Sequence, residues 1–224
     1  MMIRWIGQSG YVLKTATTEI IIDPYLSDIV NKVAGRARLV EAPMDPATIH
    51  CDAVICTHDH LDHLDTDAVA LMPKSTHFIT TGEGKERLNG LGQTNVSVLS
   101  VGQTMTIGDM ELTAVYANHT VDAFGLIVKA EGKTLYFSGD TLFDEKLFEI
   151  SQFQPDYTFI CINGKLGNMN VEEAILTATK IGAPVNIPTH YGMFASNTED
   201  PHKFADPISG GRILEFNRAY EFPL

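Results

Sequence analysis

The sequence predicts a mixed α/β fold, and two patterns carry that prediction. Short apolar or alternating runs, rich in Ile, Val and Tyr, recur between turns that contain Gly or Pro, as strands do. One segment, 171–181, has a helical period instead: Val171, Ala174, Ile175, Ala178 and Ile181 share a face. The order is strands and then helix, given twice. That order points to two sheets face to face with helices outside.

Residues 2–6, 11–14 and 19–22 read as strands, the first two joined through Gly7-Gln8-Ser9-Gly10. The third stops at Asp23-Pro24, because proline lacks the N–H that a strand interior needs. Asp23 has two readings: a turn residue before proline, or a hydrogen-bond partner behind a metal-binding histidine. Residues 28–50 are the least regular, with Lys32, Arg36 and Arg38 among Gly35, Pro43 and Pro46. They read as a solvated loop, or as a flap that carries cations for an anionic substrate. After an apolar strand ending near Cys56, Asp65 caps a helix through Met72, closed by Pro73.

Residues 77–81 read as a strand and 83–91 as a short helix. The stretches 96–99, 104–107 and 111–116 alternate as half-buried antiparallel strands do. Residues 124–130 and 133–138 make a hairpin across Glu131-Gly132. Residues 144–153 are amphipathic, and 157–162 form a buried strand. Asn170 caps the helix over 171–181, Glu173 completes a capping box, and Gly182 ends it. Residues 185–188 and 212–216 are the last predicted strands. No repeat, linker or low-complexity tract breaks the pattern, so residues 1–224 are expected to form one domain.

A chain of 224 residues suits one sizeable core. The net charge of −12 argues against broad nucleic-acid binding, which rests on neutralising phosphates. A small anionic substrate is still compatible, since a few local cations or metals can outweigh the overall field. There is no apolar run long enough to span a membrane and no signal-peptide pattern, so no membrane partner is expected. Cys51, Cys56 and Cys161 form no Cys-x-x-Cys pair. Sparse, odd-numbered cysteines fit reduced thiols and a cytoplasmic location.

The chemistry concentrates after the apolar run 53–56. There His58, His60, Asp62 and His63 arrive within one short loop. Imidazoles and a carboxylate packed this closely each need a hydrogen bond or a metal. Divalent metals take both donor types readily. At a strand end, His58 and His60 can point to one side while Asp62 and His63 turn to the other. One loop can then serve two adjacent ions.

The motif His58-x-His60-x-Asp62-His63 after a hydrophobic strand resembles the signature of the metallo-β-lactamase fold superfamily. That family uses three further ligands downstream, and the chain offers one candidate for each in order: His119, Asp140 and His190. The resemblance implies a four-layer αββα sandwich. It implies that His58, His60 and His119 hold one divalent ion, that Asp62, His63 and His190 hold a second, and that Asp140 bridges. Zn, Mn and Fe all suit this donor mix. A water held between two dications loses a proton near neutral pH, so the implied chemistry is hydrolysis. Asp62 would also orient that water. His50, His77 and His202 match no motif and read as surface or satisfied histidines.

Further stretches resemble the ascorbate-6-phosphate lactonase branch: Trp5 to Gly10, Ile22 to Asp28, Ile162 to Lys165 with Gly167 to Met169, and His190 to Ala195. Many small relatives carry His where Gln8 stands. The branch implies hydrolysis of a lactone or ester of a small, sugar-phosphate-like substrate, with a phosphodiesterase as the alternative. A non-catalytic metal-binding module is the remote third reading. Asn163 and Lys165, between a strand and a Gly-Asn turn, are candidates for substrate contact. Tyr191 follows a candidate ligand and could donate to a developing oxyanion or simply pack. A homo-oligomer is expected.

Overall fold

The computed structural model describes residues 1–224, which form two sheets flanked by helices. In chain order the first strands are β1 (Met2–Gly7), β2 (Gly10–Lys14) and β3 (Glu19–Ile22). Helix α1 (Ile29–Ala34) precedes β4 (Ala53–Ile55), α2 (Thr66–Leu71), β5 (Phe78–Thr80), α3 (Gly82–Gly90) and β6 (Val96–Val98). Then come β7 (Thr104–Ile107), β8 (Met110–Val115), β9 (Gly125–Ala130), β10 (Lys133–Phe137) and β11 (Tyr157–Cys161). The chain closes with α4 (Val171–Ile181), β12 (Val185–Thr189), α5 (His202–Ala205) and β13 (Ala219–Glu221). The first sheet has the order β13-β1-β2-β3-β4-β5-β6, and the second β12-β11-β10-β9-β8-β7.

The layers follow from side-chain parity. Ile3, Trp5, Tyr11, Leu13, Ile20, Ile22 and Ile55 face the second sheet and pack with Leu112, Leu126, Tyr136 and Phe159. Their neighbours Ile6, Val12, Ile21, Val54 and Phe78 face outward, onto Ala68 and Val69 of α2 and Leu88 of α3. Strands buried on both faces read as continuous apolar runs, which is why the sequence around them shows little alternation. On the far side of the second sheet, Val171, Ala174, Ala178 and Ile181 of α4 join its core. The result is the αββα sandwich. No helix is long and apolar enough to cross a membrane.

The capping chemistry read from sequence is present. Asp65 accepts from the Ala68 amide, and Asn170 and Glu173 form a reciprocal capping box before Gly182 turns left-handed at φ 80°. The hairpin turn falls on Glu131 and Gly132, with β9 and β10 antiparallel. Three expectations need correction. Residues 96–98 pair parallel with β5 in the first sheet, because alternation reports burial and not strand direction. Residues 212–216 are irregular; Leu214 is buried as loop, and the final strand is β13, antiparallel to β1. The irregular segment 28–50 contains α1, six residues long, ended by Gly35 at φ 65°.

Candidate metal centre

Every candidate donor lies in a loop just past the carboxyl end of a strand. Asp23 follows β3, the 58–63 loop follows β4, His119 follows β8, Asp140 follows β10 and His190 follows β12. Strands β3 and β4 run parallel with Ile22 opposite Ile55, and the Asp23 amide donates to the Ile55 carbonyl at 2.8 Å. That register sets Asp23 against the loop of histidines. The ends of the two sheets thus open onto one rim, the usual location of sites in sheets with parallel strands.

The first cluster is three imidazole nitrogens. His58 Nε2 lies 3.1 Å from His60 Nδ1, which lies 3.1 Å from His119 Nε2. Two of the three remote nitrogens are already engaged: His119 Nδ1 donates to the Gly167 carbonyl at 3.0 Å, and His58 Nδ1 is 3.1 Å from Thr57 Oγ1. Those bonds fix the tautomers of His58 and His119 and turn their Nε2 atoms toward His60 Nδ1. Donors around a tetrahedral ion at ~2.0–2.1 Å stand roughly 3.3 Å apart, so the three nitrogens fit such an ion.

The second cluster joins Asp62, His63 and His190. His63 Nδ1 donates to Asp23 Oδ2 at 2.8 Å, which turns Nε2 inward. Asp140 Oδ1 sits 3.1 Å from His63 Nε2 and 3.2 Å from His190 Nε2, and its Oδ2 is 3.9 Å from His119 Nε2. Asp140 therefore stands between the two clusters. His63 Nε2 and Asp140 Oδ1 are buried and lack a partner in good hydrogen-bond geometry. Buried polar atoms left this way need something else to satisfy them, and a cation does so for both.

The electrostatics agree. Burial, aided by the charge on His63, holds His58 well below the usual imidazole range. Burial also lowers His119. Burial opposes charge on His63 too, but Asp140, Asp23 and Asp62 together hold it well above that range. His190 is pushed up to about 9, with burial outweighed by Asp140 and Asp62. Asp140 is held far below the usual carboxylate range, burial being overcome by His190 and His63. Without metal, then, protons on His63 and His190 supply the positive charge that these carboxylates demand.

Three side chains around the centre take their roles from the three-dimensional contacts: Asp23, where the sequence left two readings, and Gln8 and Arg87, which it did not assign. Asp23, with Oδ2 also 2.7 Å from Thr57 Oγ1 and Oδ1 2.7 Å from the Thr57 amide, is the partner behind His63 and not merely a turn residue. Gln8 donates through Nε2 to Asp62 Oδ2 at 2.8 Å, and that Nε2 is 3.1 Å from His190 Nε2. Its carbonyl accepts from Trp5 Nε1, Thr189 Oγ1 and the His190 amide at 2.9, 2.9 and 3.1 Å. Arg87 of α3 pairs with Asp59 at 2.8 Å and braces the loop from outside. Gln8, Asp23 and His190 all have positive φ (53°, 43° and 62°), a conformation non-glycine residues adopt at some cost. The sequence signal for Gln8 was its place in a Gly-bounded turn; nothing local marked its contact with Asp62.

The profile of the beta-lactamase superfamily domain matches residues 18–191. This chain belongs to that superfamily, among the metal-dependent hydrolases of the metallo-β-lactamase fold. A UPF0173 metal-dependent hydrolase of Oenococcus oeni is 28% identical over 242 residues, covering 99% of this chain and 100% of that protein. Another from Methanopyrus kandleri is 27% identical over 220 residues, covering 91% and 90%. Among solved structures, an isothiocyanate hydrolase from Delia radicum gut bacteria superposes with a TM-score of 0.82 at 22% identity, covering 99% of each chain. Igni18, a metallo hydrolase of Ignicoccus hospitalis, gives 0.79 at 21% identity, covering 99% of this chain and 98% of that one. At these identities the structural matches speak for the fold.

On this superfamily scaffold the two clusters open into a cavity of about 500 Å³ whose lining includes His60, Asp62, Asp140 and His190. One wall is α1: Val30 packs with Phe194 and Leu61, so the irregular segment does cover the site. Its cations divide. Lys32 pairs with Asp67, and Arg38 donates to the Ser27 and Val40 carbonyls at 2.8 and 2.7 Å, lying over Tyr25. Arg36 lines the cavity.

The candidates for substrate contact lie elsewhere. Asn163 is buried, with Nδ2 on the Lys165 carbonyl and Asn197 Oδ1 and with Oδ1 accepting from Asn168. Lys165 donates to the Ser196 carbonyl at 3.1 Å. Tyr191 stacks on Trp5 with ring centroids 4.8 Å apart. None of the three lines the cavity; they hold its floor loops together. His77 bonds Ser97, His202 faces Asp206, and His50 is exposed, all outside the centre.

Proposed function

We propose that the chain hydrolyses an ester or lactone of a small anionic substrate, using water activated at two divalent ions. One observation carries the reading: Asp140 stands between two converging donor sets, with its Oδ1 orphaned and facing His63 and His190. His58, His60 and His119 would hold one ion, and Asp62, His63 and His190 the other, with Asp140 shared. Zn, Mn or Fe suits these donors. When bound, such ions acidify water and polarise the oxygen of a scissile carbonyl.

The chain's own groups do the rest. Asp23 and the Gly167 carbonyl fix the ring orientations of His63 and His119, so their inner nitrogens are aimed at the site. Gln8 holds one oxygen of Asp62, leaving the other free to accept a hydrogen bond from the attacking water and set its line of approach. The cavity beside Asp140 receives the substrate. The choice of a lactone rests on the resemblance of Trp5 to Gly10, Ile22 to Asp28, Ile162 to Lys165 with Gly167 to Met169, and His190 to Ala195 to ascorbate-6-phosphate lactonases, and it extends to the bond cleaved and not to the body of the substrate.

The test is reconstitution of purified protein with Zn, Mn or Fe, elemental analysis, and a panel of lactones, carboxylic esters and phosphodiesters. Two ions per chain with turnover confined to lactones and esters is the expected result. Protein that retains no transition metal and gains no activity on adding any would refute the proposal, and turnover confined to phosphodiesters would replace its substrate.

A further inference from the structure

Building on that hydrolytic reading, we infer a substrate class for the cavity: an acyl group with an apolar body and a single anion at its far end, not a polyhydroxylated sugar. Two observations meet here. The first is the apolar part of the cavity lining, to which both α1 and the surrounding loops contribute. It is built by Val30, Val33 and Ala34 of α1 with Leu61, Leu166 and Phe194, and these are all the hydrophobic residues of the lining. Val33 is 66% exposed and Leu166 55% exposed. Large aliphatic side chains held open to solvent at a cavity mouth gain most when an apolar group covers them. A sugar body would strip water from its hydroxyls against this wall and find few partners in exchange.

The second observation is Arg36. Of the cations in the covering segment, Lys32 is taken by Asp67 and Arg38 by backbone carbonyls and the Tyr25 ring. Arg36 lines the cavity and makes no hydrogen bond or ion pair within the chain. In a chain of net charge −12, an unpaired guanidinium that lines the same cavity as Asp62 and Asp140 but is paired with neither marks the point where a substrate anion is accepted. Guanidinium suits a carboxylate or phosphate through paired N–H donors. The reacting end lies over Asp140 and the histidines, the apolar body along α1, Leu166 and Phe194, and the distal anion at Arg36.

Binding alone tests this. Metal-reconstituted protein is titrated calorimetrically with monocarboxylates from butyrate to nonanoate, the matching α,ω-dicarboxylates, and glucose 6-phosphate. Affinity should rise with chain length. At one length the dicarboxylate should exceed its monocarboxylate by about fivefold, a gain that Arg36→Gln abolishes. Val33→Asn and Leu166→Asn, both at exposed positions, should weaken long chains more than short ones. If no dicarboxylate outbinds its monocarboxylate, or if glucose 6-phosphate binds tighter than every dicarboxylate, the inference is overturned. A protein that shows these preferences yet hydrolyses no ester would refute the proposed reaction and leave the pocket assignment standing.

Discussion

Asp23 and His63 form a fully buried pair, Oδ2 to Nδ1 at 2.8 Å, in which the carboxylate decides which imidazole nitrogen faces the metal site. The same oxygen accepts a hydrogen bond from the Thr57 hydroxyl, so its position is set from two sides. The pair joins the end of β3 to the loop after β4, so the parallel pairing of two strands is converted into the tautomer of one ring.

Asp23→Asn should therefore cost metal affinity before it costs fold. An amide nitrogen placed at Oδ2 cannot accept from His63 Nδ1, so the ring proton moves to Nε2 and the inward lone pair is lost. Affinity for the ion held by His63 should fall by about 10- to 100-fold. Nitrogen NMR of His63 in the metal-free variant, at a pH high enough for the ring to be neutral, checks the tautomer, and metal titration checks the affinity. An unchanged tautomer with unchanged affinity would remove Asp23 from the mechanism.

Asp140→Asn keeps the shape and removes the shared charge. Two dications would face each other with one fewer anion between them. At ~4 Å a unit-charge interaction is about 4 kcal/mol at an effective dielectric of 20. A rate loss of about 10²-fold needs only about 2.7 kcal/mol of barrier. Loss of one ion or a rate drop of at least this size is expected, with melting of the metal-free variant still cooperative. Full metal content with near wild-type turnover would show that Asp140 does not bridge.

Metal uptake should release protons and strengthen with pH. In the metal-free protein His190 is charged up to about 9, against its ordinary 6.5. A raised histidine stabilises the fold fully below 6.5, and that contribution fades as pH rises through about 9. An ion bound by His190 must displace this proton. Apparent affinity should thus climb by about tenfold per pH unit for each proton displaced, and the part of the rise that comes from His190 should flatten near 9. Calorimetry in buffers of different ionisation enthalpy counts the protons; a pH-independent affinity with no proton release would contradict the assignment.

Gly167→Ala should disturb the three-histidine cluster specifically. Gly167 has φ 93°, and a Cβ there would stand 2.8 Å from His119 Cε1. Gly132→Ala is the control: φ is 69° with nothing within 4 Å of the added carbon, so it carries the backbone strain without the collision. Gly132→Ala should lose about 1 kcal/mol of stability in thermal unfolding, and Gly167→Ala more than that. Gly167→Ala alone should lose metal content, and equal metal content in the two variants would show that the His119 position tolerates the push.

What the sequence revealed, and what it hid, follows from contact range. The 58–63 loop was legible because several metal-type donors crowd behind an apolar strand, a purely local pattern. Helix α4 was legible for the same reason, through its caps and the face from Val171 to Ile181. Asp23 and Gln8 were not resolved, since their partners lie 40 and 54 positions away and no local pattern encodes such contacts. The strand expected at 212–216 failed because Leu214 is buried without pairing, and burial alone produces the same apolar letters. Helix α1 was hidden among glycine and prolines; at six residues it owes its existence to packing on Phe194 and Tyr25 more than to propensity.

The carbonyl of Gln8 works as a rivet between the two ends of the chain. It joins the turn after β1 to Thr189 and His190, separated from it by 181 and 182 positions. Contacts of such long sequence separation form late, after the entropy of closing the intervening loop has been overcome. His58 and His60 share one short loop, but His190 reaches its place beside them only where the two sheets pack together. The complete donor set is thus a property of the finished fold. Ions taken up there report that folding has ended, and in holding His190 they lock the first strand to the last parallel one.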